Sequence, residues 1–318
     1  MIRLKEKYGL LLIGIAIGIA YGLITRLTFG EEATLASITY LFIIPAILGL
    51  IPLMFADNDQ LQSYKNIIFI PWLTVASFFF MLFFAKIEDL ICLFILALPF
   101  FILGTLGAFI YRLVQINKKK NKGKLLSLLL LPFLLSPIEQ CIQSPSETFT
   151  IVSEITIEAP VDSIWNNIVE VKTIQPHEYN AGLFNHLGIP RPISATVDKK
   201  TVGGHRTGNF EGGLRFDEII TNYEQYSAIS FSILVDTTTI RPTIFDQHVL
   251  KGNYFTFIDA NYKIIKLSNN KVKLALSSNY RLTSKINFYG KFWGDIILKD
   301  FQDRLLDVIK TRCEIKNN

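Results

Sequence analysis

Four apolar runs fill most of the first 111 residues: Tyr8–Leu27, Ala33–Ala56, Ile67–Ala85 and Leu90–Tyr111. Each has the roughly 17–25 residues that a helix needs to cross a hydrocarbon core. The pieces that join them, such as TFGEE and DNDQLQSYKN, are short and polar. Pro45, Pro52, Pro71 and Pro99 fall inside the runs. A helix bundle in lipid tolerates them, because neighbouring helices satisfy the carbonyls they leave free.

A fifth run, Leu125–Pro137, is shorter, and a basic cluster of Lys118, Lys119, Lys120, Lys122 and Lys124 stands in front of it. Its apolar residues run continuously, without the polar face of an interfacial helix. Counted on to Ile142 it carries one charge, Glu139, and it just reaches spanning length. Lys and Arg near span ends stay on the cytoplasmic side. Arg3, Lys5 and Lys7 precede the first span, the lysine cluster precedes the fifth, and no Lys or Arg follows until Lys172. The expectation is an integral, multi-pass membrane protein with a cytoplasmic amino terminus. Its spans lie at about 8–27, 33–56, 67–85, 90–111 and 125–142, and its carboxy-terminal domain is extracytoplasmic.

Composition limits what the two halves do. Mean hydropathy is +0.35 and 19% of residues are charged, values high and low for a soluble chain, and the apolar excess sits in the first 140 residues. The formal net charge of +5 gives no support to nucleic-acid binding, because the basic residues flank apolar segments. Span interiors offer Ser and Thr and no ionisable side chain, although Arg26 lies near the end of the first. Buried charge is the usual mark of a transport path, so the region reads as an anchor.

The linker QSPSE, 143–147, opens a different text. TFTIVSEITIEA alternates Ile151, Ile155 and Ile157 with polar residues, the period of a half-buried strand. Pro160 suits a helix start, and Val161, Ile164, Trp165 and Ile168 share one helical face. A looser stretch holds His177 and His186. Six strands are then predicted, near Ile193–Asp198, His205–Phe210, Leu214–Tyr223, Ala228–Val235, Tyr254–Leu267 and Lys271–Leu282. A helix closes the chain at about Asn287–Arg312, with Trp293, Ile297, Phe301, Leu305, Val308 and Ile309 on one face. The fold class is an all-α transmembrane bundle at 1–142 followed by an α+β domain at 148–318.

The order of EAPVDSIWNNI, broken helices, an antiparallel meander and YGKFWGDIILKDFQDRLLDVIKTR resembles the START-like helix-grip superfamily, also called SRPBCC. That group includes polyketide cyclases, Bet v 1-like proteins and lipid-transfer domains. The resemblance covers about Thr148–Cys313 and none of the membrane half. It implies a curved sheet gripping the last helix with an apolar cavity between them, and the fold alone leaves function open.

Strand parity places Leu214, Phe216, Glu218 and Ile220 on one face and Arg206 with Phe210 on another. If the faces meet, Arg206 and Glu218 form a buried pair: a polar anchor for a ligand head group, or a structural ion pair. Candidate ligand-binding residues are Arg206, Glu218, Phe216, His177, His186, Tyr280 and Trp293. No catalytic residue is assigned. The four histidines show no metal-ligand spacing, Gly203 to Gly213 form no phosphate loop, and no metal or cofactor is expected. Cys141 and Cys313 share an oxidising compartment in this topology, but two cysteines are weak support for a bond, and free thiols are expected. The resulting function is non-catalytic binding of a lipid or other hydrophobic molecule, with the bilayer and an anionic amphiphile as partners. The alternatives are a structural or sensory partner protein without ligand, and a cyclase-like or hydrolase-like enzyme.

Overall fold

The computed structural model describes residues 2–34, 37–117, 127–268 and 270–315. The Lys118–Lys124 cluster and Leu125 lie outside the described residues, as do the side chains of Arg3, Lys5, Lys7, Glu31 and Glu32. The chain divides into two compact units, Met1–Ser144 and Pro145–Asn318.

Unit 1 is helical: α1 (Ile2–Thr34), α2 (Ile44–Leu50), α3 (Asn58–Gln62), α4 (Tyr64–Phe84), α5 (Leu90–Asn117) and α6 (Leu131–Gln140). Among the described residues, three stretches are long and apolar enough to cross a membrane: Gly9–Phe29, Tyr64–Phe84 and Leu90–Ile116. The second and fifth expected spans are shorter apolar helices, Thr39–Phe55 and Ser127–Gln140. Proline explains how the second is broken. Pro45 has no N–H to return to Leu41, and the turn before it widens so that Ile44 N–H reaches Thr39 O. Pro52 then starts a 3₁₀ turn, Pro52–Phe55. Pro71 and Pro99 sit inside α4 and α5 without ending them.

Small residues set the packing. Gly14, Gly18 and Gly22 lie four apart along α1, facing Pro52, Thr74 and Phe78. Where α2 crosses α5, a Cβ at Gly49 would stand 1.8 Å from the Gly104 carbonyl oxygen, so the two backbones touch. Close backbone approach through small residues is how helices associate where no hydrophobic drive separates protein from solvent. The outward faces are apolar too, with Phe69 63% and Phe84 65% exposed.

Polar groups gather at the ends of unit 1. Arg26 Nε donates to Glu88 Oε1 at 2.8 Å, and both side chains are buried. Arg26 stands at the end of its run and Glu88 in the loop before α5, so the pair lies at the helix ends; sequence reasoning missed it because the partners are 62 residues apart. Glu139 accepts from Ile38 N–H at 2.6 Å, Thr39 N–H at 3.0 Å and Ser37 Oγ at 2.9 Å. The single acid of the fifth run therefore caps the helical segment that starts the second.

Unit 2 contains one seven-stranded antiparallel sheet in the order β1-β7-β6-β5-β4-β3-β2. The strands are β1 (Ser146–Ile157), β2 (Pro192–Val197), β3 (His205–Phe210), β4 (Arg215–Glu224), β5 (Ala228–Val235), β6 (Phe255–Ser268) and β7 (Lys271–Thr283). Its helices are α7 (Val161–Val169), α8 (Leu183–His186), α9 (Ile244–Lys251) and α10 (Asn287–Ile315). Gly212 at φ 74° and Gly213 at φ 81° make the tight β3–β4 turn, a left-handed backbone that glycine adopts without strain. Register shifts at Ile220/Asn222 in β4 and Phe257/Asp259 in β6 bend the sheet. The core joins Trp165 and Ile168 of α7 to Phe231, Tyr262 and Leu274 of the sheet and Leu306 and Ile309 of α10. This is the helix-grip arrangement.

Two details differ from the sequence reading. Helix α9 was not foreseen; Thr243 caps it by accepting from Asp246 N–H at 3.3 Å, a signal present as T-x-x-D. The buried face of α10 runs through Leu298, Gln302, Leu305, Leu306 and Ile309, with Ile297 half-buried beside it. Leu298→Ala should therefore cost about 2–5 kcal/mol of unfolding free energy, and Ile297→Ala distinctly less, as read from denaturant midpoints of the purified chain. In unit 1, Gly49→Leu should lower the melting temperature in detergent far more than Ala46→Gly, because only the first forces backbones apart.

Candidate functional site

The inward face of the sheet is set by register. Arg206 lies directly opposite Glu218, and Glu218 opposite Ile233. Arg206 Nη1 donates to Glu218 Oε2, and its Nε donates to the carbonyl of Val169, the last residue of α7, at 3.2 Å. The guanidinium carbon stands 4.6 Å from the centre of the Phe231 ring. Arg206 thus meets a carboxylate, a helix carboxyl end and an aromatic face, three electron-rich partners for one buried cation. Tyr262, fully enclosed nearby, has its hydroxyl pKa pushed up to about 12 by burial. Gly208 is the next inward residue of β3, and a Cβ there would come within 3.1 Å of Glu218 Oε1, so its small size leaves room for the pair.

Beside this pair, aromatic rings continue across five strands. Phe301 of α10 lies 6.0 Å from Phe210, Phe210 4.7 Å from Phe216, and Phe216 5.1 Å from Phe257. The chain goes on through Phe255, 4.9 Å from Phe257, to Tyr280 at 5.5 Å and Phe149 at 5.7 Å. Phe216 and Tyr280 are buried, whereas Phe210, Phe257, Phe255, Phe149 and Phe301 are half-buried. An inward face that keeps partial exposure is incompletely covered by its helix.

At the end of this band Tyr280 Oη donates to Asp295 Oδ1 at 2.7 Å, and Asp295 pairs with Lys291. Burial, and then the bond to Asp295, hold the Tyr280 hydroxyl far above the usual phenol range. Helix α10 approaches closely here, since a Cβ at Gly294 would be 3.1 Å from Tyr280 Oη. Sequence reasoning missed the Asp295 partnership, because a helix residue and a strand residue 15 positions apart show no common period.

The remaining candidates lie elsewhere. Trp293 sits on the first turns of α10, 5.3 Å from Phe292. His177 is exposed in the loop after α7, and His186 ends α8 with Nδ1 2.6 Å from Gly182 O. That loop is strapped to the far half of α10. Arg312 Nε and Nη2 reach the two Glu178 oxygens at 2.8 and 2.7 Å, and its Nη1 and Nη2 reach the carbonyls of Lys172 and Thr173. Arg304 Nη1 donates to Asn180 O at 2.5 Å. Nine residues separate Asp295 from Arg304, about 14 Å of helix. The histidines therefore do not converge with Tyr280 and Trp293. A second ion pair, half-buried Arg241 with buried Asp246 at 2.6 and 2.8 Å, fixes α9 to the segment before it. Among the described residues no group of three or more metal-ligating side chains gathers, and Cys141 and Cys313 are free thiols.

Together these features define a helix-grip domain with an aromatic inward face and one buried ion pair. The chain matches no protein-family profile and no curated protein. Among solved structures it is similar to a protein from Nitrosospira multiformis: 14% identity over 53% of this chain and 99% of that one, TM-score 0.34. It is similar to a norcoclaurine synthase point mutant from Thalictrum in complex with a transition-state analogue: 14% identity, 55% and 100% coverage, TM-score 0.35. A protein from Rhizobium leguminosarum gives 11% identity, 55% and 99% coverage, TM-score 0.35. These neighbours are Bet v 1-like helix-grip proteins. At such scores they say nothing about activity, and the fold here rests on strand order and the long closing helix.

Two outcomes follow from this geometry. Arg206→Met leaves the Glu218 carboxylate buried without its partner and should cost about 3–5 kcal/mol, whereas Arg206→Met with Glu218→Leu should be close to neutral; denaturant unfolding of both variants checks this. The bond from Arg312 holds Glu178 at a pKa of about 2, below the roughly 4.3 of a free glutamate. Its contribution is complete above the unfolded value and is lost as pH falls toward 2. The melting temperatures of wild type and Glu178→Gln should differ at pH 6 and converge near pH 2.

Proposed function

We propose that unit 1 anchors the chain in a lipid bilayer and that unit 2 binds a lipid or other hydrophobic small molecule along its aromatic inward face. The observation that carries the binding reading is the half-buried state of Phe210, Phe257, Phe255 and Phe301 on a face that a closed core would bury completely. Aromatic walls with a few placed polar groups are what apolar ligand sites are made of. Burying a fully exposed phenylalanine is worth about 1.5–3 kcal/mol, and these half-buried rings keep part of that as a driving force for an apolar guest. Arg206 and Glu218 neutralise each other, which leaves them to set the floor of the site and its polarity. An anionic head group bound there competes with Glu218 for the guanidinium.

Anchoring is supported by helices apolar on both their inner and outer faces, a pattern of membrane spans rather than of water-facing helices. The lysine cluster before the fifth apolar run favours a cytoplasmic position for that end and an extracytoplasmic one for unit 2. A reporter fused after Asn318 should be active only in its extracytoplasmic form.

The test of binding is mass spectrometry of small molecules that leave the purified, detergent-extracted full chain on denaturation. Wild type should release an amphiphile in near-stoichiometric amount, and Phe257→Ala should retain about tenfold less. A wild-type chain that releases detergent alone, and takes up no added long-chain fatty acid, would show that unit 2 is a ligand-free partner domain.

A further inference from the structure

Phe288, Phe292 and Ile296 recur every four residues along the first turns of α10 and are 65%, 50% and 39% exposed. Residues this large do not stay on one exposed stripe of a water-facing helix without a reason. Their surroundings carry two further signs. Tyr289 and Trp293 accompany them, and tyrosine and tryptophan concentrate where bilayer meets water. Lys285 and Lys291 flank the stripe, Lys291 in a pair with Asp295, and lysines beside an apolar stripe suit an anionic lipid surface.

The chain itself limits where this stripe is in use. Cys141 closes the apolar helix α6. Four residue steps later Pro145 accepts a hydrogen bond from Asn287 Nδ2 at 2.9 Å, in the first turn of α10. Glu147, two residues on, takes a second bond from the same amide at 3.2 Å. Four extended residues reach at most about 14 Å. The carboxyl end of the last apolar helix and the start of the stripe are therefore on a very short leash.

We propose that the Phe288–Phe292–Ile296 stripe is a membrane-docking surface. Its rings enter the headgroup region of the same bilayer that holds unit 1, with Lys285 and Lys291 against anionic lipid. The proposal rests on the reading of unit 1 as membrane-embedded. The stripe adjoins the Phe149–Tyr280 end of the aromatic band. Lys291 Nζ, 5.5 Å from the centre of the Phe149 ring, then stands where band and headgroups meet.

The experiment uses the full chain in nanodiscs of phosphatidylcholine and phosphatidylglycerol. The exposed native thiol is removed by Cys141→Ser, and an environment-sensitive fluorophore is placed at Phe292→Cys, with Phe288→Cys as a second site. Quenching by doxyl-labelled lipid is compared with quenching by aqueous iodide. Phe69→Cys, on the outward face of α4, reports whether unit 1 is in the bilayer. Leu234→Cys, 71% exposed on the outer face of β5, reports a water-facing position. Labels at 292 and 288 should be quenched several-fold more by lipid than by iodide, the reverse of the label at 234. If the label at 69 meets lipid while those at 292 and 288 meet iodide, the stripe faces water and the docking proposal is overturned. If 292 and 288 meet neither quencher, protein covers the stripe, from a second copy or another partner, and the proposal is equally overturned. If the label at 69 escapes lipid, the anchoring reading fails, and the docking proposal fails with it.

Discussion

The guanidinium of Arg206 ties together four pieces of unit 2: β3, β4, the end of α7 and the Phe231 ring of β5. A cation so deep is costly unless every face of it is satisfied. Glu218 supplies the opposite charge, the Val169 carbonyl supplies the negative end of a helix, and Phe231 supplies the π-face. The consequence reaches past the pair. Because Glu218 must face inward to meet Arg206, alternation along β4 also turns Phe216 and Ile220 inward. Register with β5 then places Phe231 and Ile233 beside them. The aromatic band and the core of unit 2 therefore share one register, fixed where a slip of one residue would bury Asp217 instead.

Unit 1 solves the opposite problem. In the bilayer proposed for it, burial of apolar area gives no reason for one helix to prefer another over its surroundings. Packing must come from close fit and from the few polar groups. The glycine ridge of α1, the Gly49–Gly104 contact and the Arg26–Glu88 pair are those means. Glu139 adds another: its carboxylate gathers the N–H groups at the start of the second apolar segment, which a helix end leaves without intrahelical partners.

Much of this was legible in the sequence because period is legible. Alternation along β1 and β4, and the parity of Arg206 with Glu218, needed only a repeat of two, and the apolar runs needed only length. What escaped were relations without a period. Glu88 and Asp295 find partners 62 and 15 residues away, and nothing in their neighbours announces it. Ile297 and Leu298 are adjacent and alike, and a rotation of one residue about the α10 axis decides which is buried. The second apolar run had the length of a span, but Pro45 and Pro52 lie close enough together to divide it into short pieces. Composition counts such prolines as tolerated, while geometry makes each one break a turn.

The same reasoning bears on how a guest would travel. The aromatic band begins beneath Phe301 and ends at Phe149, in the strand that opens only a few residues after α6. An apolar molecule crossing open water gives up roughly 25 cal/mol for each Å² it exposes. A path from hydrocarbon to the inward face is favoured in proportion to how little of it is wet. The Tyr280 end of the band lies under the first turns of α10. There Gly290 and Gly294 leave the helix backbone lying directly against Leu282 and Tyr280. A side chain at either position would lift the helix from β7. The two glycines therefore hold α10 against this end of the band.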